Sequence, residues 1–247
     1  MLTDTKLLFI KFSNEVNGYN VKVIWKPYHI YYEHIVGPAI IEFYKTKDST
    51  SFSLTENNFC VLKRKLPILY SEDSSKIINI GGNNYDTIAL YYDKKSTESI
   101  EGSFGTTEEP FFFQDIDFDN KKELLITEFG QAQRGAATFK SYKVEEDESN
   151  DFGNIMNEKP INLLDEMSVI DYVNKQIKIF FSEGACLNGQ DIYQLKSHKE
   201  SSFSWKEFIL ESEVREERDS KLDKCYLLKY KVTNHNTKQL ISKIEVK

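Results

Sequence analysis

The chain has 247 residues, 40% hydrophobic and 13% aromatic, with a net charge of −7. That is long enough to bury a substantial core and too apolar for a disordered chain. Lysines are scattered among acids and form no basic stripe, which makes nucleic acid a poor partner.

The opening MLTDTKLLFIKFSNEV does not read as a signal peptide, because its apolar run spans only four residues, Leu7 to Ile10, behind an acid. No stretch approaches the roughly 20 apolar residues that span a bilayer. The compartment stays open: cytoplasmic as written, periplasmic or extracellular if a leader was removed.

Aromatic and β-branched residues dominate the first hundred positions and favour strands. Residues 18–26, GYNVKVIWK, alternate with Tyr19, Val21, Val23 and Trp25 on one face. Residues 39–44 and 51–54 read as a hairpin around Lys47 and Asp48. KIINIGGNNYDTIALYYD reads as another, turning at residues 81–84. A polar loop over 94–109 is a candidate boundary between a hairpin-rich part, 1–100, and a β-rich part, 107–247, which could also be one continuous domain. Glu108 and Glu109 read as solvated, and so does the acidic loop 145–154.

Residues 111–126, FFFQDIDFDNKKELLI, put three acids behind three phenylalanines. With Asp115 as position one, Asp117 is three, Asp119 five, Lys121 seven and Glu123 nine. Calcium loops place side-chain oxygens at one, three and five, a backbone carbonyl at seven and an acid at nine or twelve. Asn120 occupies position six, where the chain turns sharply and a left-handed residue is needed. Position twelve is Ile126, so the loop ends with the acid at nine and runs into a strand. Ile116 and Phe118 alternate with the acids and should face the core. An edge strand with a wet acidic face would show the same alternation, but Asp is disfavoured in strands. The favoured reading is a cation site, with calcium ahead of magnesium because no nucleotide-phosphate motif accompanies it.

DIDFDNKKELLI resembles the aspartate loops of FG-GAP and VCBS-type modules. Residues 110–232, with NKQIKIFFSEGA and DIYQL in the later part, resemble a family of small bacterial calcium-loop β proteins. That family is related to periplasmic lysozyme inhibitors and to immunity proteins against cell-wall-lytic effectors. The resemblance implies Ca2+ held by the side chains of Asp115, Asp117, Asp119 and Glu123 and by the carbonyl of Lys121.

Leu164, Met167, Ile170 and Val173, about three apart, read as a helix within INLLDEMSVIDYVNKQ. A run of antiparallel strands follows. The charged stretch EVREERDSKLDK reads as a short helix or a long hairpin loop. The expected fold is mainly β, with antiparallel sheets in a sandwich, barrel or propeller-like arrangement and one or two short helices.

Three cysteines, Cys60, Cys186 and Cys225, allow one disulfide and one thiol or three thiols. Cys186 as a nucleophile near His198 is set aside for want of an orienting partner. His29 and His34, five apart, fall on opposite faces of a strand. No P-loop, dinucleotide fingerprint or G-x-S-x-G is present. The expectation is a non-catalytic calcium-binding module for protein interaction, an inhibitor or immunity protein that occludes a basic toxin or lytic enzyme. The alternative is a calcium-dependent adhesin or carbohydrate-binding module using Tyr31, Tyr32 or Trp205 as a sugar platform.

Overall fold

A computed structural model describes residues 7–31, 34–47, 51–66, 68–70, 77–80, 87–93, 108–128, 137–144, 156–182, 184, 186–200, 203–233 and 237–246. Mainly β structure is observed. The first strands are β1 (Leu8–Phe12), β2 (Asn20–Trp25), β3 (His29–Tyr31), β4 (His34–Tyr44), β5 (Ser51–Leu62), β6 (Ile68–Tyr70), β7 (Ile77–Ile80) and β8 (Thr87–Leu90). Next come β9 (Phe111–Gln114), β10 (Glu123–Glu128), β11 (Thr138–Tyr142), β12 (Val169–Asp171) and β13 (Gln176–Ser182). The last are β14 (Asn188–Glu200), β15 (Phe203–Asp219), β16 (Lys224–Thr233) and β17 (Thr237–Val246).

A nine-stranded sheet runs β11-β10-β5-β4-β2-β1-β8, with β3 beside β4 and β9 beside β10. Its strands come from both sides of residues 94–107. The pairings are antiparallel except that of β1 with β8. The second sheet is a six-stranded meander from β12 to β17.

Alternation sets the first core. Tyr19, Val21, Val23 and Trp25 are all buried, as their spacing predicts, and the hairpin of β4 and β5 brings Phe43 and Phe52 face to face at 4.6 Å. The triple phenylalanine has a different logic. Phe111, Leu124 and Ile126 enter the core of the nine-stranded sheet, while Phe112 and Leu125 enter a second core. Strands β9 and β10 are therefore buried on both faces, which is why they read as near-continuous apolar runs. The second core includes Ile170, Ile177, Ile179 and Tyr193 of the meander, so the two sheets pack as layers of a sandwich.

Three expectations fail locally. The helix over residues 161–176 is replaced by a 3-10 turn, Ile161–Leu163, then β12 and a tight turn into β13. Leu164 and Ile170 are buried, but Met167 and Val173 are exposed, so no helical stripe exists to bury. Asp165 and Ser168 bond each other and the local backbone, which competes with helix hydrogen bonding. Strands β7 and β8 do not pair: β7 joins β6, and β8 joins β1, where Ile88 and Leu90 reach the core. The turn expected at residues 81–84 lies outside the described residues, as does the acidic stretch 145–154. The charged stretch after Val214 is neither helix nor long loop, because β15 continues to Asp219 and β16 begins at Lys224.

Glu109 is not solvated. It is buried, paired with Lys65, and accepts the Asp93 N–H at 2.7 Å, and burial pushes its carboxyl above the usual range. Cys186 and Cys225 form a disulfide with Cα atoms 5.5 Å apart, which removes Cys186 as a nucleophile. Cys60 is a buried free thiol. Among the described residues no helix is long and apolar enough to cross a membrane.

Candidate metal centre

The acidic segment is the loop of the hairpin formed by β9 and β10, closed by the facing pair Gln114 and Glu123. Ile116 and Phe118 are buried in the second core, as their alternation with the acids predicts. Phe118 adopts a φ of 61°, which is strained for a bulky residue; its ring is held edge-on against Tyr172 at 5.8 Å and beside Phe208. Asn120 adopts a φ of 67°, the left-handed turn its position requires.

The loop folds around its own carboxylates. Asp115 Oδ2 accepts the Asn120 N–H at 3.0 Å, Asp117 Oδ1 the Asp119 N–H at 3.1 Å, and Asp119 Oδ1 the Lys121 N–H at 2.7 Å. Glu123 Oε2 accepts the Ile116 N–H at 2.9 Å. Asp115, Asp117 and Glu123 bring carboxylate oxygens within 4.8 Å of one another. Asp119 stands beside this group, close enough for its charge to act on Asp117 and Glu123. Lys121 is exposed at the end of the loop.

The electrostatics are those of a cluster short of positive charge. Glu123 is only 1% exposed; burial, and then the charges of Asp117, Asp119 and Asp115, push its carboxyl up to about 8 against the Ile116 hydrogen bond. Burial and the Asp119 charge also raise Asp117, while Lys143 Nζ, 3.6 Å from Asp117 Oδ2, opposes them. Asp115 Oδ1 is buried and accepts no hydrogen bond. An orphaned buried oxygen beside two more carboxylates fits a hard dication that takes oxygen ligands.

Tyr172, 57 residues away, had no legible signal in the sequence. Its hydroxyl donates to the Asp115 carbonyl at 2.9 Å and accepts from Gln114 Nε2 at 3.1 Å. The meander thereby touches the loop from the other sheet. Of the aromatics considered as a sugar platform, Tyr31 ends β3 and Trp205 lies in β15, in different sheets, while Tyr32 lies outside the described residues.

No protein-family model and no curated protein matches the sequence. Among solved structures, the fold is similar to that of a Xanthomonas type IV secretion system related protein. The TM-score is 0.58 at 12% identity, covering 98% of this chain and 96% of that one. At that identity the likeness shows the fold alone.

Proposed function

Starting from this geometry, we propose that the protein is a non-catalytic, calcium-stiffened module that binds another protein, most specifically an inhibitor or immunity protein against a toxin such as a cell-wall hydrolase. The observation that carries the metal half is the convergence of Asp115, Asp117 and Glu123 around a buried, unpaired oxygen. These three side chains would hold Ca2+, and Asp119 would add negative charge beside them. A dication there offsets the mutual repulsion of the acids and stiffens a loop that sits between the two layers. The binding half is compatible with the near full-length likeness to a type IV secretion system related protein, and it rests on the resemblance of residues 110–232 to a calcium-loop family related to inhibitor and immunity proteins. The net charge of −7 favours a basic partner.

Calorimetric titration of calcium into chelator-treated protein tests the metal half, with Asp117→Ala as control. Saturable binding lost in the variant supports it, and no heat in the parent protein overturns it. The binding half is tested by peptidoglycan turbidity assays with a panel of basic cell-wall hydrolases. Stoichiometric inhibition supports it, and undiminished lysis with excess protein overturns it.

A further inference from the structure

The two cysteines of the meander meet a third ligating side chain. Cys186 lies in the turn between β13 and β14, and Cys225 is the second residue of β16. Strand β15 runs between β14 and β16. Its Arg218 faces Cys225, so Glu216, two positions away along β15, lies on that same face of the sheet. The two sulfurs and a Glu216 carboxylate oxygen all lie within 4.8 Å of one another, and the three residues are half-buried. We infer that, when Cys186 and Cys225 are thiols, these three side chains bind one zinc ion, with water as the fourth ligand.

Donor chemistry selects the metal. Thiolates are soft ligands that suit zinc and not calcium or magnesium, and zinc accepts a carboxylate oxygen in the same tetrahedral shell. Zinc–sulfur bonds of about 2.3 Å place two tetrahedral sulfurs about 3.8 Å apart. With Cα atoms 5.5 Å apart, rotation of the two cysteine side chains opens that gap. Glu216 already has an outer partner: Asn188 Nδ2 donates to its Oε2 at 2.5 Å, and Asn188 Oδ1 accepts from Ser182 Oγ. A neutral donor orients the carboxylate and leaves its charge for the ion. Cys186 adopts a φ of 61°, in a turn closed by the Leu187 N–H donating to the Gly184 carbonyl at 3.1 Å. That backbone bond does not depend on the disulfide, so the turn keeps Cys186 near Cys225 when the sulfurs part. The cysteines are 39 residues apart, so no C-x-x-C marks the site in the sequence.

The disulfide and the zinc site are alternatives. A dithiol reductant delivers two electrons and two protons to the Cys186–Cys225 bond, which breaks to two thiols as the reductant closes its own disulfide. Zinc then displaces both thiol protons to solvent. Where a reducing compartment opens the disulfide, the ion ties the β13–β14 turn to β15 and β16 in its place.

The test uses the full-length protein, stripped of metal, reduced with a phosphine and held in excess calcium to keep zinc off the acidic loop. Zinc should bind once per chain and raise the melting temperature of the reduced protein, and should leave that of the oxidised protein unchanged. Cobalt(II) in place of zinc should give the near-ultraviolet sulfur-to-metal band that only thiolate ligation produces. Cys186→Ser should abolish the band. Glu216→Gln still forms the disulfide, so it should melt like the parent when oxidised. When reduced it should bind zinc about a hundredfold or more weakly, beyond the loss typical of an outer partner. No thiolate band in the reduced parent overturns the inference, as does a band that survives Cys186→Ser. Parent-like zinc affinity in Glu216→Gln, or a reduced chain that zinc does not stabilise, overturns it equally.

Discussion

The Tyr172 hydroxyl, on the turn between β12 and β13, donates a hydrogen bond at 2.9 Å to the backbone carbonyl of Asp115, the first residue of the acidic loop. One sheet thereby fixes the loop carried by the other. Tyr172→Phe keeps the ring against Phe118 and removes this bond. A neutral hydrogen bond contributes about 1 kcal/mol, so the variant should lose roughly fivefold in calcium affinity while folding normally. Titration calorimetry beside the parent protein checks this, and equal affinity would count against the coupling.

The pH dependence of the ion-free protein follows from Glu123. Folding raises its carboxyl from 4.5 to about 8, so between those values the native state holds a proton that the unfolded state has released. Stability should therefore fall as pH rises through that window and level off above it. Calcium, which requires the charged carboxylates, should reverse the trend and release protons on binding near neutral pH. Melting temperatures from pH 5 to 9, with chelator and with calcium, give the two slopes. Parallel slopes would contradict the assignment of Glu123 as a ligand.

The two classes of cysteine should behave differently. Burial, and then the Glu128 charge, push the Cys60 thiol up to about 12, and its Sγ donates to the Thr127 carbonyl. A thiol reagent should leave the native protein unmodified and label one site per chain in denaturant. Cys225→Ser should cost about 2–4 kcal/mol by opening a loop of 39 residues. Denaturant unfolding with and without reductant measures it.

Gly37 sits where β4 bulges against β5 and the chain of residues 26–28 crosses it. A Cβ there would meet the Lys26 carbonyl and lie 2.6 Å from Pro27 Cα, both backbone atoms. Gly37→Ala should destabilise the fold by about 1–3 kcal/mol, read from the urea midpoint. An unchanged midpoint would mean that residues 26–28 move aside freely.

Local pattern alone determined the strands around Val21 and Val23, the hairpin of β4 and β5, and the inward direction of Ile116 and Phe118 between outward acids, because period-two alternation and turn residues act over a few positions. The spacing of Asp115, Asp117 and Glu123 likewise marked the loop, since neighbouring side chains converge wherever the backbone curls. Tertiary structure decided the rest. Only the second sheet makes β9 and β10 two-faced and turns an apparent helix near Ile170 into a strand, while the core of the nine-stranded sheet takes β8 to β1 in place of its sequence neighbour. Each choice depends on which distant surface is available to bury, and Tyr172 at the acidic loop is the same case: a contact across 57 residues leaves no periodicity to read.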